Sequence, residues 1–204
     1  MKKLFASLLI AVVILFSLFW VWRYVTLNEY YDSICNIDKT VYYSGEIVPF
    51  GEDRIGGYNQ ADGYSIRVNS FSMVDYISYI KDSEISVDNQ FASPEKIALV
   101  YITLINDNSD AEGVILTDLQ LHGIDNYIGM DWDLLYEINP ILQGNPGICL
   151  PHNTEVDLIL PFDVYRSYFG SRTWRQLDDY TWYLRITSWP TQKDIQVQST
   201  IDER

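Results

Sequence analysis

Several short stretches of the chain alternate apolar and polar positions with a period of two, the repeat of a strand with one buried face. Tyr64, Ile66 and Val68 alternate with Ser65, Arg67 and Asn69, and Trp182, Leu184 and Ile186 with Tyr183, Arg185 and Thr187. Val156, Leu158 and Leu160 alternate with Asp157 and Ile159 up to Pro161. From Ile97 to Ile105 both sets of positions are apolar, which predicts a strand covered on both faces and therefore inside a sheet. Thr40 to Tyr43 and Glu46 to Val48 flank the turn residues Ser44 and Gly45, Ile115 to Leu121 predicts a further strand, and Ile195 and Val197 close the series. Phe71 to Ile80 fits either a bulged strand or a short helical turn carrying Val74, Ile77 and Ile80. Tyr165 to Leu177 fits a short helix or a lid-like loop. About seven short strands between turns predict a mainly β fold, an antiparallel β-sandwich.

A different pattern opens the chain. Leu4 to Trp22 is a run of nineteen residues without a charged side chain. That is close to the roughly twenty residues a helix needs to cross a bilayer. Lys2 and Lys3 precede it, which places the N-terminus in the cytoplasm, and Trp20, Trp22 and Tyr24 follow where aromatic rings favour the headgroup level. A cleaved leader is the alternative, but Phe16 to Trp22 offers no small-residue cleavage site and no cysteine follows the run. The expected organisation is a membrane anchor over 1–23, a juxtamembrane connector over 24–39 and an extracytoplasmic β-sandwich domain over 40–204. The expected location is the cell membrane, single-pass, with residues 4–22 in the lipid bilayer and the C-terminal domain extracellular.

Charge narrows the partners. Lys2, Lys3 and Arg23 leave 11 of the 14 basic residues facing all 28 acidic ones beyond the apolar run, a net of −17. So negative a domain repels nucleic acid and anionic lipid headgroups. The two cysteines, Cys35 and Cys149, both fall after the apolar run, and in an oxidising compartment they permit one disulfide. Its long loop is worth up to about 4 to 5 kcal/mol on the chain-entropy model; two buried, inert thiols are the other reading.

Three segments resemble a group of uncharacterised membrane-anchored extracytoplasmic domains of Gram-positive bacteria. These are Val100 to Asn108, Glu155 to Phe162 and Trp182 to Pro190, within a domain from about Tyr42 to Val197. Gly144 and Gly147 are the nearest match to a glycine-bearing loop of that group, with Pro146 and Cys149 as additions. The resemblance implies an immunoglobulin-like fold and a bacterial surface location, and it carries no catalytic residue or ligand.

Catalytic chemistry is sparse. His122 and His152 are the available neutral-pH proton acceptors, and the ordinary strand or turn residue is the leading reading of each. There is no H-E-x-x-H motif, no short-spaced cysteine pair, no G-x-S-x-G elbow and no phosphate-binding loop ending in Lys-Ser or Lys-Thr. Asp131 and Asp133 flank Trp132, while Asp178 and Asp179 precede Trp182, acids beside aromatic rings as in sugar-binding or glycosidase clefts. The plainer reading is turn-forming Asp and core-filling Trp. Asn106, Asp107, Asn108 and Asp110 gather oxygen ligands suited to calcium, yet an Asn/Asp turn bonding its own backbone accounts for them without an ion. No catalytic, cofactor or metal residue is assigned. The expected function is a non-enzymatic surface module binding a protein, peptide or envelope ligand. A structural subunit of a membrane complex and a carboxylate-dependent envelope hydrolase working near Trp132 or Trp182 are the alternatives.

Overall fold

The computed structural model describes residues 12–26, 37–56, 59–85, 93–107, 113–123 and 126–198. Two units emerge, Met1–Ile37 and Asp38–Arg204.

In the first unit the described segment is a helix, α1, over 12–26. Its hydroxyls turn inward on the helix itself, Ser17 donating to the Val13 carbonyl at 2.9 Å and Thr26 to the Trp22 carbonyl at 2.8 Å. Among the described residues no helix is long and apolar enough to cross a membrane. That finding overturns the expected anchor over 4–22, the bilayer as a partner and the single-pass topology with an external domain. Residues 4–11 of the expected span, and Cys35, lie outside the described residues.

The described residues of the second unit form thirteen strands in chain order. They are β1 (Asp38–Tyr43), β2 (Ile47–Pro49), β3 (Arg54–Ile55), β4 (Asn59–Gln60), β5 (Tyr64–Asp75), β6 (Lys96–Asn106), β7 (Val114–Ile115), β8 (Gln120–His122), β9 (Tyr127–Ile128), β10 (Gly147–Ile148), β11 (Thr154–Val164), β12 (Trp182–Thr187) and β13 (Thr191–Val197). Three helices of one or two turns interrupt them: α2 (Tyr76–Asp82), α3 (Trp132–Ile138) and α4 (Ser171–Trp174). Two open sheets carry the fold, one in the order β1-β13-β12-β8-β9 and one in the order β11-β6-β5-β2.

One core joins the two sheets. Leu121, Trp182, Leu184, Ile186 and Ile195 from the first meet Ile66, Val68, Val100, Ile102 and Leu160 from the second, all essentially inaccessible to solvent. Lys193 at the start of β13 reinforces the junction: its ammonium donates to the carbonyls of Pro49 and Phe50 and to Asp53, each at 2.8 Å.

The expectation of an immunoglobulin-like antiparallel sandwich is corrected to a mixed α/β domain with open sheets, for two reasons. First, β1 runs parallel to β13, from Asp38 opposite Thr191 to Tyr43 opposite Gln196. Second, the outer apolar face of β6 is covered by helices. Ile97 and Leu99 form a separate cluster with Tyr76 of α2 and Leu134 of α3. Farther along, that face turns polar: Thr103 donates to Asp157 at 2.6 Å and accepts from Asn69 at 2.9 Å and Arg67 at 3.2 Å.

The ambiguous stretch 71–80 is both of its readings in succession. β5 continues through a bulge between Val68 and Ser70 to Asp75, whose carboxylate then caps α2 by accepting from the Ser78 amide at 2.9 Å. The strand expected over Ile115 to Leu121 is broken by a 3₁₀ turn, Leu116–Asp118, between β7 and β8. Tyr165 to Leu177 holds a 3₁₀ turn, Arg166–Tyr168, and then α4.

Candidate functional site

The short strand β8, the edge strand β9 and the approach to α3 line an open groove of about 550 Å³. Its walls include Thr117, Leu119, Gln120, Tyr127, Met130 and Trp132, and none of the lining side chains is charged at neutral pH. Trp132 is 57% exposed and Tyr127 61% exposed, two large rings left in water. Gly129, between them along the chain, has nothing within 4 Å of where a Cβ would stand, so the floor is open there.

Tyr127 is held from behind. Its hydroxyl accepts from Arg185 at 3.0 Å, and its ring centroid lies 5.4 Å from the His122 ring. Arg185 also donates through Nε to Asp194 at 3.0 Å and meets His122 Nε2 at 3.2 Å. The Gly123 carbonyl, which can only accept, sits 3.0 Å from His122 Nδ1. His122 Nε2 also lies 3.3 Å from Asp194 Oδ2, so the ring sits among Arg185, Asp194 and the Gly123 carbonyl. Burial opposes the charges of both Arg185 and Asp194, yet their mutual bonds outweigh it. The guanidinium is held above its usual pKa and the Asp194 carboxyl below the ordinary carboxylate value.

Trp132 is fixed by a second arrangement. Met130 and Phe162 form a β-bridge, with the Asp131 amide donating to Pro161 at 3.0 Å and the Asp163 amide donating to Gly129 at 2.9 Å. The bridge brings Asp131 and Asp163 close enough for each carboxyl to act on the other's proton affinity. Asp131 is also the N-cap of α3, accepting from the Leu134 amide at 3.0 Å. Burial, then the charge of Asp131 and the bond to it, push the Asp163 carboxyl up to about 7. Burial raises Asp131 as well, against the pull of the Leu134 amide. Asp163 Oδ1 is enclosed without a hydrogen-bond partner.

Acids do gather beside Trp132, but the partner of Asp131 is Asp163 from β11, while Asp133 sits in the first turn of α3. Asp178 and Asp179 belong to a 3₁₀ turn, Leu177–Asp179, and Trp182 is wholly buried, so that pair frames no cleft. His152 is in an exposed turn. Among the described residues no group of three or more His, Cys, Asp or Glu side chains is placed to hold a metal ion. Asn106 donates to the Leu150 carbonyl at 2.8 Å and Asp107 accepts from Ser65 at 2.7 Å; Asn108 and Asp110 lie outside the described residues. Cys149 is exposed, with the Tyr64 hydroxyl 3.9 Å from its sulfur. Its disulfide with Cys35 stands as a proposal, which intact mass before and after reduction tests; two alkylated thiols in unreduced protein would end it.

Fold and site together define a mixed α/β domain with open sheets and an aromatic-walled groove at the edge of one of them. Residues 39–193 match the family described as Domain of unknown function (DUF5028), and the chain belongs to that family. No curated protein and no solved structure matches it. Membership in this family of uncharacterised domains replaces the resemblance to membrane-anchored immunoglobulin-like surface domains. The surface-module function loses its basis with the anchor, since no described helix spans a membrane.

Proposed function

We propose that this domain binds a neutral carbohydrate in the groove between Tyr127 and Trp132. The observation that carries the reading is the pair of exposed rings walling one cavity of about 550 Å³. That volume is within the roughly 300–1,000 Å³ of small-ligand sites. A sugar ring offers an apolar C–H face to an aromatic ring and hydroxyls at its rim, and the groove supplies both complements. Trp132 and Tyr127 give flat faces, while Thr117 and Gln120 give a hydroxyl and an amide. The uncharged lining and the formal net charge of −14 disfavour phosphorylated or other anionic ligands.

Binding without hydrolysis is the better fit. Glycosidases keep their two carboxyl groups about 5–5.5 or 6.5–9.5 Å apart across the scissile bond. Asp131 and Asp163 act on each other's proton affinity and neither lines the groove.

Calorimetric titration of the full chain with neutral chito-, cello-, malto- and manno-oligosaccharides tests the proposal. At least one series should bind, and Trp132→Ala should weaken it by more than about tenfold, roughly 1.4 kcal/mol. Absence of binding across the panel at about 10 mM, well above a dissociation constant of about 1 mM, would reject it.

A further inference from the structure

Four strands end the two large sheets, and three of these edges are closed to further pairing. β9 has two residues. β2 has three, the last of them Pro49, whose carbonyl takes the Lys193 ammonium at 2.8 Å. Along β11 the Asn139 side chain bonds the carbonyl and the amide of Ile159 at 2.8 and 2.9 Å, and Asp131 and Gly129 take the next outward positions at Pro161 and Asp163. The remaining end of β11 carries the acids Glu155 and Asp157. Short length, proline, covering groups and charge are the usual means by which folds prevent strand addition. β1 has none of the first three. It is a six-residue edge strand whose pairing with β13 uses one side of its backbone. Tyr43 shows which groups are left over: its amide donates to the Glu46 carboxylate at 2.8 Å and its carbonyl accepts from the Glu46 amide at 3.1 Å, so both face away from β13. Backbone alternation gives Val41 and Lys39 the same outward direction, and among the described residues no strand pairs with them there. Tyr42 packs on the core, so the side chains of Lys39, Val41 and Tyr43 lie on the outer face of the sheet, with Val41 47% and Tyr43 60% exposed.

We propose that β1 pairs antiparallel with β1 of a second copy of this chain, about a two-fold axis at Val41, joining the two five-stranded sheets into one. The edge is complementary to itself in that register. Val41 stands against Val41 of the second copy, and each Lys39 stands opposite the other copy's Tyr43. There the Lys39 stem covers the ring and its ammonium reaches the Glu46 carboxylate that sits at the Tyr43 amide. Lys39, the one charge in the outward row, is thereby matched by an acid on both sides of the axis. The exposed Val41 and Tyr43 side chains leave the water, and the Val41 amide and carbonyl of each copy bond those of the other. Such a contact is isologous and closes at two chains, so it leaves no edge of this kind open to further growth.

Sedimentation velocity of the full chain, with a non-ionic detergent covering the exposed apolar side chains of α1, tests the pairing. At about 100 μM the chain should run as a dimer, since so narrow an interface dissociates in the micromolar range. Val41→Pro removes an outward N–H and leaves the β13 ladder intact, a place where edge strands accept proline. It should keep the thermal midpoint of the unsubstituted chain and weaken dimerisation more than about tenfold. Should that chain fail to fold, Val41→Lys sets two like charges face to face at the axis and should weaken dimerisation in the same way. Thr40→Pro, which removes an N–H directed at β13, should instead lower the midpoint. Oxidative crosslinking reads the register. Val41→Cys chains should join at position 41, where facing Cα atoms lie about 5.5 Å apart, whereas Tyr43→Cys chains, with those positions about 13 Å apart, should not. A monomer at that concentration, a dimer that survives both substitutions at Val41, or a Val41 amide protected from hydrogen exchange in a monomeric chain overturns the proposal.

Discussion

Replacing Asp163 by Asn removes one titration and almost nothing else, because the Asn side chain has the shape of the carboxylic acid, and the enclosed Oδ1 keeps its environment. The carboxyl rises from 3.8 to about 7 on folding. Between those values the folded chain holds a proton that the unfolded chain has lost, so stability falls as pH rises through this window and levels off above it. A shift of about 3 units corresponds to about 4 kcal/mol at 1.36 kcal/mol per unit. The site is not fully withdrawn from solvent, and screening reduces this to about 1–2 kcal/mol. Urea unfolding of both chains at intervals from about pH 4 to about pH 8.5 measures the difference, with equal m-values as the control for an unchanged folded state. Asp163→Asn should match the unsubstituted chain near pH 4 and exceed it by about 1–2 kcal/mol at pH 8.5. Groups common to both chains cancel in the comparison. Equal stability at both ends, or a difference that does not vary with pH, would refute the raised carboxyl.

The opposite sign holds for Asp194, whose pKa is lowered against the effect of burial by His122, Arg185 and Gln192. Its contribution is present above about pH 4 and lost as pH falls through the folded pKa, so Asp194→Asn should cost about 1–3 kcal/mol at neutral pH and progressively less in acid by the same urea assay. Gly123 touches the Tyr180 ring so closely that a Cβ there would lie 2.1 Å from Cε1. Gly123→Ala should destabilise by about 1–3 kcal/mol, and a neutral result in thermal unfolding would mean that Tyr180 moves freely. Leu99, on the helix-covered face of β6, should cost about 2–5 kcal/mol when cut to Ala, measured in the same way.

The strands were legible wherever alternation ran for five residues or more. Tyr64 to Val68, Ile97 to Ile105, Val156 to Leu160 and Trp182 to Ile186 all fall inside observed strands. The two apolar faces of Ile97 to Ile105 marked a central strand, and β6 does lie between β5 and β11. What covers its second face was not legible. α2 and α3 have seven residues each, too short to establish a helical period, and strand pattern carries no information on whether a sheet or a helix packs above it. The parallel pairing of β1 with β13 joins opposite ends of the domain and leaves no local trace. For the site, the neighbourhood of Trp132 was visible as acids beside an aromatic ring. The true partner of Asp131 was not, because Asp163 reaches it through the isolated bridge of Met130 with Phe162. The tyrosine wall was hidden for a similar reason, since Arg185, His122 and Asp194 come from three separate strands.

Carbohydrate recognition by the groove is tested most directly by mapping resonance changes in the full ¹⁵N-labelled chain as a neutral tetrasaccharide of each series is added. A binding series should shift the Trp132 indole and the amides of Gln120, Tyr127, Gly129 and Met130 together, saturably and with one dissociation constant. The face bearing Thr103, Asn69 and Asp157 should stay still. Shifts confined to that distant face, or none in any series, would contradict the assignment of the groove as the ligand site.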